Sequence, residues 1–238
     1  PRANYVITPS QSIANYYNIK YNITPIVIRN VPITNLSNSS DIQHNLSQIP
    51  LDKDKVVILY QGAINKDRGL EELIDAAQLL SYKFDNLLFL IIGNGDIFHQ
   101  LQHKVKKLNL TNIIFTGRIP FNILPQYTKM ANICVSLEKN TNQNYYFSLP
   151  NKIFDYINLE KPIIASNLPE INNIFQKYNI GLLINDITPQ TIANAIIKMI
   201  NLLNGPNALM LKQNIVKAKM EYSWENEKHK LLAIFNNL

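Results

Sequence analysis

From residue 56 onward, short apolar runs alternate with amphipathic stretches long enough to be helices. The runs 56–60, 87–92, 113–115, 133–137, 162–165 and 181–184 read as strands. Helical spacing of apolar residues recurs near 70–82, 97–108, 123–130, 150–159, 171–177 and 189–203. Strands separated by helices form a parallel sheet with both faces covered. The expected fold class is therefore α/β, a Rossmann-like doubly wound parallel sheet. Right-handed crossovers put every strand-to-helix loop at one sheet edge. Ligands bind at that edge, near the point where strand order reverses.

The chain has 238 residues, 46% apolar and 17% charged, enough for a sizeable core. Residues 1–34 read as one strand–helix–strand unit, with strands at 5–8 and 25–29. That unit is too small to be a domain and looks like the tail of an upstream one, although loss of an initiator Met before Pro1 gives the same first residue. Residues 35–50 are rich in Asn, Ser and Gln and read as a linker. The main domain spans 51–206. Residues 207–238 hold two helical segments joined near Tyr222, Ser223 and Trp224, with Leu231, Leu232 and Phe235 as the apolar stripe of the last.

Net charge is +6 at pH 7, which suits anionic ligands or an anionic surface. No RNP-like or zinc-finger pattern supports nucleic acid. No apolar run approaches a membrane span and there is no signal-peptide pattern, so a cytoplasmic protein is expected, with peripheral contact at the inner membrane face left open. The single cysteine, Cys134, lies in an apolar run and reads as a core residue.

The most informative stretch is 144–170. An aromatic loop leads into Ser148-Leu149-Pro150, where Ser148 is expected to cap a helix and Pro150 to sit in its first turn. Leu149, Ile153, Phe154 and Ile157 form its apolar stripe; Asn151, Lys152, Asp155 and Asn158 lie off it. A polar face at a helix N-terminus is suited to an anion. A second such place is Gly62–Gly69, a strand-to-helix loop that puts Arg68 at a helix start. Gly93-Asn94-Gly95-Asp96 lies at a third strand end, but Phe98 stands where a dinucleotide fingerprint needs glycine. His99 and His103 share a helix face without a metalloprotease pattern. Asp52-Lys53-Asp54 and the Asn-x-Ser/Thr matches at Asn22, Asn35, Asn38, Asn45 and Asn109 read as ordinary surface.

In order and spacing these pieces resemble the C-terminal, donor-binding half of GT-B glycosyltransferases of family 4, the glycosyl transferases group 1. Tyr60-Gln61-Gly62 with Arg68-Gly69-Leu70 is similar to the family's first phosphate loop. Ile91-Ile92-Gly93-Asn94-Gly95 and Ile114-Phe115-Thr116-Gly117 match the next two strand ends. Ser148–Tyr156 resembles the donor-site motif, and Tyr222-Ser223-Trp224-Glu225 the start of the closing helix. The resemblance implies that 1–34 is a remnant of the acceptor domain and 51–206 the nucleotide-sugar-binding domain. It implies a retaining enzyme that moves a sugar from a UDP- or GDP-linked donor to a saccharide or lipid-linked acceptor, without a metal or other cofactor. Arg68 and Lys152 would stabilise the leaving diphosphate. Gly62, Gly93, Gly95, Ser148, Leu149, Asn151 and Asp155 would contact the donor. A sugar-nucleotide epimerase and a non-catalytic binding module are the alternatives. Three positions depart from the family: Ala63 where Arg is common, Phe147 where the first of two glutamates stands, and Glu160 for a frequent glycine.

Overall fold

A computed structural model describes residues 3–33 and 54–236. The linker expected at 35–50, Asp52 and Lys53 of the D-x-D triplet, and Asn35, Asn38 and Asn45 lie outside the described residues.

Six parallel strands form the main sheet: β3 (Val56–Gln61), β4 (Leu87–Ile92), β5 (Ile113–Gly117), β6 (Ile133–Ser136), β7 (Ile163–Ser166) and β8 (Gly181–Ile184). Their order is β5-β4-β3-β6-β7-β8, doubly wound as expected. The reversal lies between β3 and β6, where Ile58 pairs with Ile133 and Leu59 with Cys134. β4 is buried along its whole length, as a central parallel strand must be. One face carries α2 (Leu70–Ser81), α3 (Phe98–Lys107) and α8 (Pro189–Leu203). The other carries α6 (Asn151–Asn158), α7 (Pro169–Tyr178) and α9 (Ala208–Glu221). α4 (Leu124–Met130) links β5 to β6.

The N-terminal unit is smaller than expected. Its strands shrink to β1 (Ile7–Thr8) and β2 (Ile26–Val27), a two-stranded parallel sheet around α1 (Gln11–Tyr21). It docks on the main body through carboxylates. The Ser12 amide donates to Glu170 Oε1 at 2.6 Å, and the Arg29 guanidinium pairs with Glu227 at 3.1 Å.

The last helix, α10 (Trp224–Phe235), corrects the expected stripe. Glu227 and Ile234 are its buried residues, whereas Leu232 and Phe235 are 52% and 63% exposed. The inward face runs through 224, 227, 231 and 234, because Glu227 is drawn in by Arg29. Among the described residues no helix is long and apolar enough to cross a membrane. Cys134 is wholly buried, and burial pushes its thiol pKa up.

Candidate functional site

The loop after β3 is built for close backbone approach. Gly62 and Gly93 both have φ near +135°, and a Cβ on Gly93 would stand 1.8 Å from the Gly62 carbonyl oxygen. Only glycine lets these two strand ends meet. Gly95 is equally tight against Ile64 and Asn65. The Tyr60 hydroxyl braces the loop by donating to the Ala63 carbonyl at 2.7 Å. Gly69, at φ +70°, precedes α2, and a Cβ there would strike the Leu137 carbonyl at 2.5 Å. The β3 loop and the β6 loop are thus pressed together at the switch point. The Lys139 amide donates to the Asp67 carbonyl, and Tyr145 donates to the Lys66 carbonyl while its ring lies 5.0 Å from the Arg68 guanidinium carbon.

Three charged side chains converge there. Glu138, directly after β6, is fully buried. Its Oε1 lies 3.1 Å from Arg68 Nη1 and 2.8 Å from Lys152 Nζ, and its Oε2 accepts from Ser136 Oγ at 2.7 Å. Lys152 is itself only 8% exposed, with Nζ 4.1 Å from the centre of the Tyr60 ring. Burial alone would raise the Glu138 pKa. The Lys152 ammonium, bonds from Lys152 and Ser136, and the Arg68 guanidinium outweigh it and hold the carboxyl at about 2. Burial opposes the charge on Lys152 and Arg68 as well, and Glu138 overcomes it, so both cations titrate above their ordinary values. The site therefore carries two fixed positive charges against one negative.

The donors exceed the acceptors. Arg68 Nε and Ser148 Oγ are buried without a hydrogen bond among the described residues, and Lys152 Nζ has no acceptor beyond its 2.8 Å ion pair with Glu138. They are three of six such side-chain atoms among the described residues, the others lying on Glu72 and Asn112, and buried polar groups short of partners are rare in folded proteins. The N-terminus of α6 has no acidic residue in its first turn, so its amide ends favour an anion. The first turn of α2 holds Glu71 and Glu72, which makes its N-terminus the poorer of the two.

Ser148 is not the cap expected of it. α6 begins at Asn151 with Pro150 as the cap residue, extended at φ −65° and ψ 130°. Pro150 biases Leu149 away from helical geometry, so the helix starts after the proline. The Ser148 amide instead donates to the Tyr145 carbonyl, following α5 (Gln143–Tyr146), a one-turn helix in the stretch expected to be loop. The Asn142 side chain caps α5, accepting from the Tyr145 amide. Phe147 packs beside Tyr146 and Tyr16 of α1.

The structure brings only some of the other candidates to the cluster. Gly62 lies against Lys152, whose Cε would be 3.7 Å from an added Cβ. Leu149 is half-buried against the core and Asn151 is exposed at the start of α6. Tyr156 anchors that helix to both halves of the sheet: its hydroxyl accepts from the Gln61 amide and donates to the Val135 carbonyl. Asp155 faces the β3 end. Its Oδ2 accepts from Gln61 Nε2 at 3.1 Å, and Gln61 Oε1 accepts from Thr128 Oγ1 at 2.7 Å. Burial raises the Asp155 pKa to about 6, against the opposing bond from Gln61. Gln61, Thr128, Asp155 and Asn158 line a cavity of ≈ 130 Å³. Gln61 and Gly62 also line an open cleft of ≈ 340 Å³ with Gly93, Asn94 and Arg118. His99 is exposed and contacts Gln102, and no group of three or more His, Cys, Asp or Glu is gathered among the described residues.

The cluster's central acid, Glu138, carried no local sequence signal beyond ending an apolar run. It lies 70 residues from Arg68 in sequence, and only the sheet order brings the two together.

Known proteins resemble the chain in sequence and in fold. An uncharacterized glycosyltransferase of Methanocaldococcus jannaschii is 22% identical over the whole chain, which spans 59% of that relative. A crystal structure of a glycosyltransferase from Rickettsia africae superposes with a TM-score of 0.81 at 15% identity, covering 98% of this chain and 63% of that one. The Anabaena protein HepE, solved in complex with UDP and glucose, gives 0.76 at 18% identity, covering 99% and 64%. The two structures speak for the fold, that of GT-B glycosyltransferases. The chain spans about three fifths of the length of each. The profile of the Glycosyl transferases group 1 matches residues 41–217, so the chain belongs to that family of sugar-transferring enzymes.

Proposed function

We propose that the chain is the donor-binding half of a retaining glycosyltransferase that uses a nucleoside diphosphate sugar, UDP- or GDP-linked, and a saccharide or lipid-linked acceptor. The observation that carries this reading is the pair of cations at the switch point, Arg68 and Lys152, with buried protons left over after Glu138 is satisfied. In the reaction, the bond from the anomeric carbon to the diphosphate oxygen breaks, and its electron pair leaves on the diphosphate. The acceptor hydroxyl oxygen bonds to that carbon, and its proton passes to an oxygen of the departing diphosphate. Negative charge grows on the diphosphate as the bond stretches, and fixed cations in a water-poor site stabilise it without reorganising. Arg68, Lys152 and the N-terminal end of α6 fill that role. Asp155 offers two acceptor oxygens to the vicinal hydroxyls of a ribose. The UDP and glucose bound to the Anabaena structure support a nucleotide-sugar donor, and the retaining outcome follows the family resemblance.

A thermal-shift screen tests the reading. Saturating UDP or GDP should raise the melting temperature by mass action, and Lys152→Ala should shrink the rise. No shift with any nucleoside diphosphate would refute it.

A further inference from the structure

Glu138 is out of place in an anion site. A carboxylate a few ångströms from an incoming diphosphate repels it, and most strongly where water is excluded. Its geometry indicates what it contributes in return. One oxygen is pinned by Ser136, two residues away on β6, and the other is shared by both cations. The carboxylate has no exposure, so it does not swing aside for a ligand. We propose that Glu138 is a positioning residue that fixes the directions in which Arg68 and Lys152 present their remaining protons to the diphosphate. This rests on the donor-site reading above.

Two physical needs converge on it. Arg68 and Lys152 approach one oxygen atom from different segments and repel each other; a shared counter-ion sets their separation. Lys152 is also almost wholly buried, and a buried ammonium without a carboxylate gives up its proton readily. The titratable and charged groups that act on it are Glu138, Tyr60 and Arg68, of which only Glu138 carries a negative charge at neutral pH. Glu138 thus keeps the lysine charged and aimed.

Calorimetric titration with UDP and GDP separates this from a purely electrostatic or structural role. Glu138→Asp keeps the charge but withdraws it by one methylene. It should weaken binding about tenfold, the scale of a hydrogen bond to a charged group. Glu138→Gln makes the site more positive, so simple attraction predicts tighter binding; loss of positioning predicts weaker binding. Its affinity should fall further from pH 7 to pH 9 as Lys152 discharges, while the unmodified chain stays flat. If Glu138→Gln does not fold, Ser136→Ala carries the same test by freeing the pinned oxygen, and affinity should again drop. Unchanged affinity in Glu138→Asp and Ser136→Ala, or tighter and pH-independent binding by Glu138→Gln, overturns the inference. Arg68→Ala and Lys152→Ala measured alongside keep the two ideas apart. If they lose affinity while the Glu138 variants do not, only the positioning role fails. If they bind normally, or the unmodified chain binds neither nucleotide, the donor site itself is wrong.

Discussion

Among the described residues, two of the three buried glutamates, Glu138 and Glu227, each face one arginine and one lysine, and they are built for different ends. Glu227 on α10 meets Arg29 and Lys230. Lys230 is 43% exposed, and both carboxylate oxygens are used, one taking the Arg29 amide. Each charge there has a partner or water, and the result is a clamp between the N-terminal unit and the last helix. Glu138 meets Arg68 and Lys152 with Lys152 almost sealed from solvent, and protons remain without acceptors. The same three residue types give a closed joint in one place and an open anion site in the other. The difference lies in burial and in the count of unused donors, which residue type alone does not reveal.

The largest expected effect breaks the comparison on stability. Glu138→Ala strands a buried lysine and should cost about 3–5 kcal/mol in denaturant unfolding. Glu227→Ala should cost only about 1–2 kcal/mol, since Lys230 can turn to water. Equal losses would erase the distinction. Next comes ligand affinity. Arg68→Ala or Lys152→Ala should weaken UDP or GDP binding by about 1.5–3 kcal/mol in calorimetry, whereas Arg29→Ala should leave it unaltered. A loss in Arg29→Ala as large as in the other two would move the site.

Asp155 provides a smaller, pH-dependent test. Its folded pKa of about 6 lies above the usual carboxylate value, so between the two the folded state binds the extra proton. Its contribution to stability is therefore fully present below about pH 4 and is lost as pH rises through about 6. Asp155→Asn should remove that slope and gain on the order of 1 kcal/mol at pH 7 in urea melts. Binding runs the other way. The ionised form accepts the ribose hydroxyls, so affinity for the ribonucleotide should fall as pH drops through about 6. The analogue lacking both hydroxyls carries the same phosphates and should lack that component; parallel curves for the two ligands would rule the role out. The smallest effect is at an exposed pair, Lys177 with Glu221, where Lys177→Ala should change stability by about 0.5 kcal/mol or less.

Much of this was legible from residue patterns. The apolar runs at 87–92 and 181–184 match β4 and β8 to the residue; β4, buried along its whole length, is continuously apolar as such a strand must be, and β8 is a partly buried edge strand of the same character. Arg68 and Lys152, which the structure brings together on Glu138, each sit next to a strong local marker, a glycine turn and a proline before a helix. Glu138 could not, since a glutamate closing a strand reads the same whether it meets water or two cations. The Ser148 cap was misplaced by a competition two residues on, where Pro150 delays the helix. The stripe on α10 was misread because Glu227, a charged residue, takes a buried position that periodicity assigns to apolar ones.

The most direct test is a crystal structure of the chain with UDP or GDP bound. The account places diphosphate oxygens within hydrogen-bond distance of Arg68 and Lys152 at the start of α6, with Glu138 unmoved beneath them. A diphosphate seated elsewhere, or held with Arg68 and Lys152 still turned only to Glu138, would contradict it.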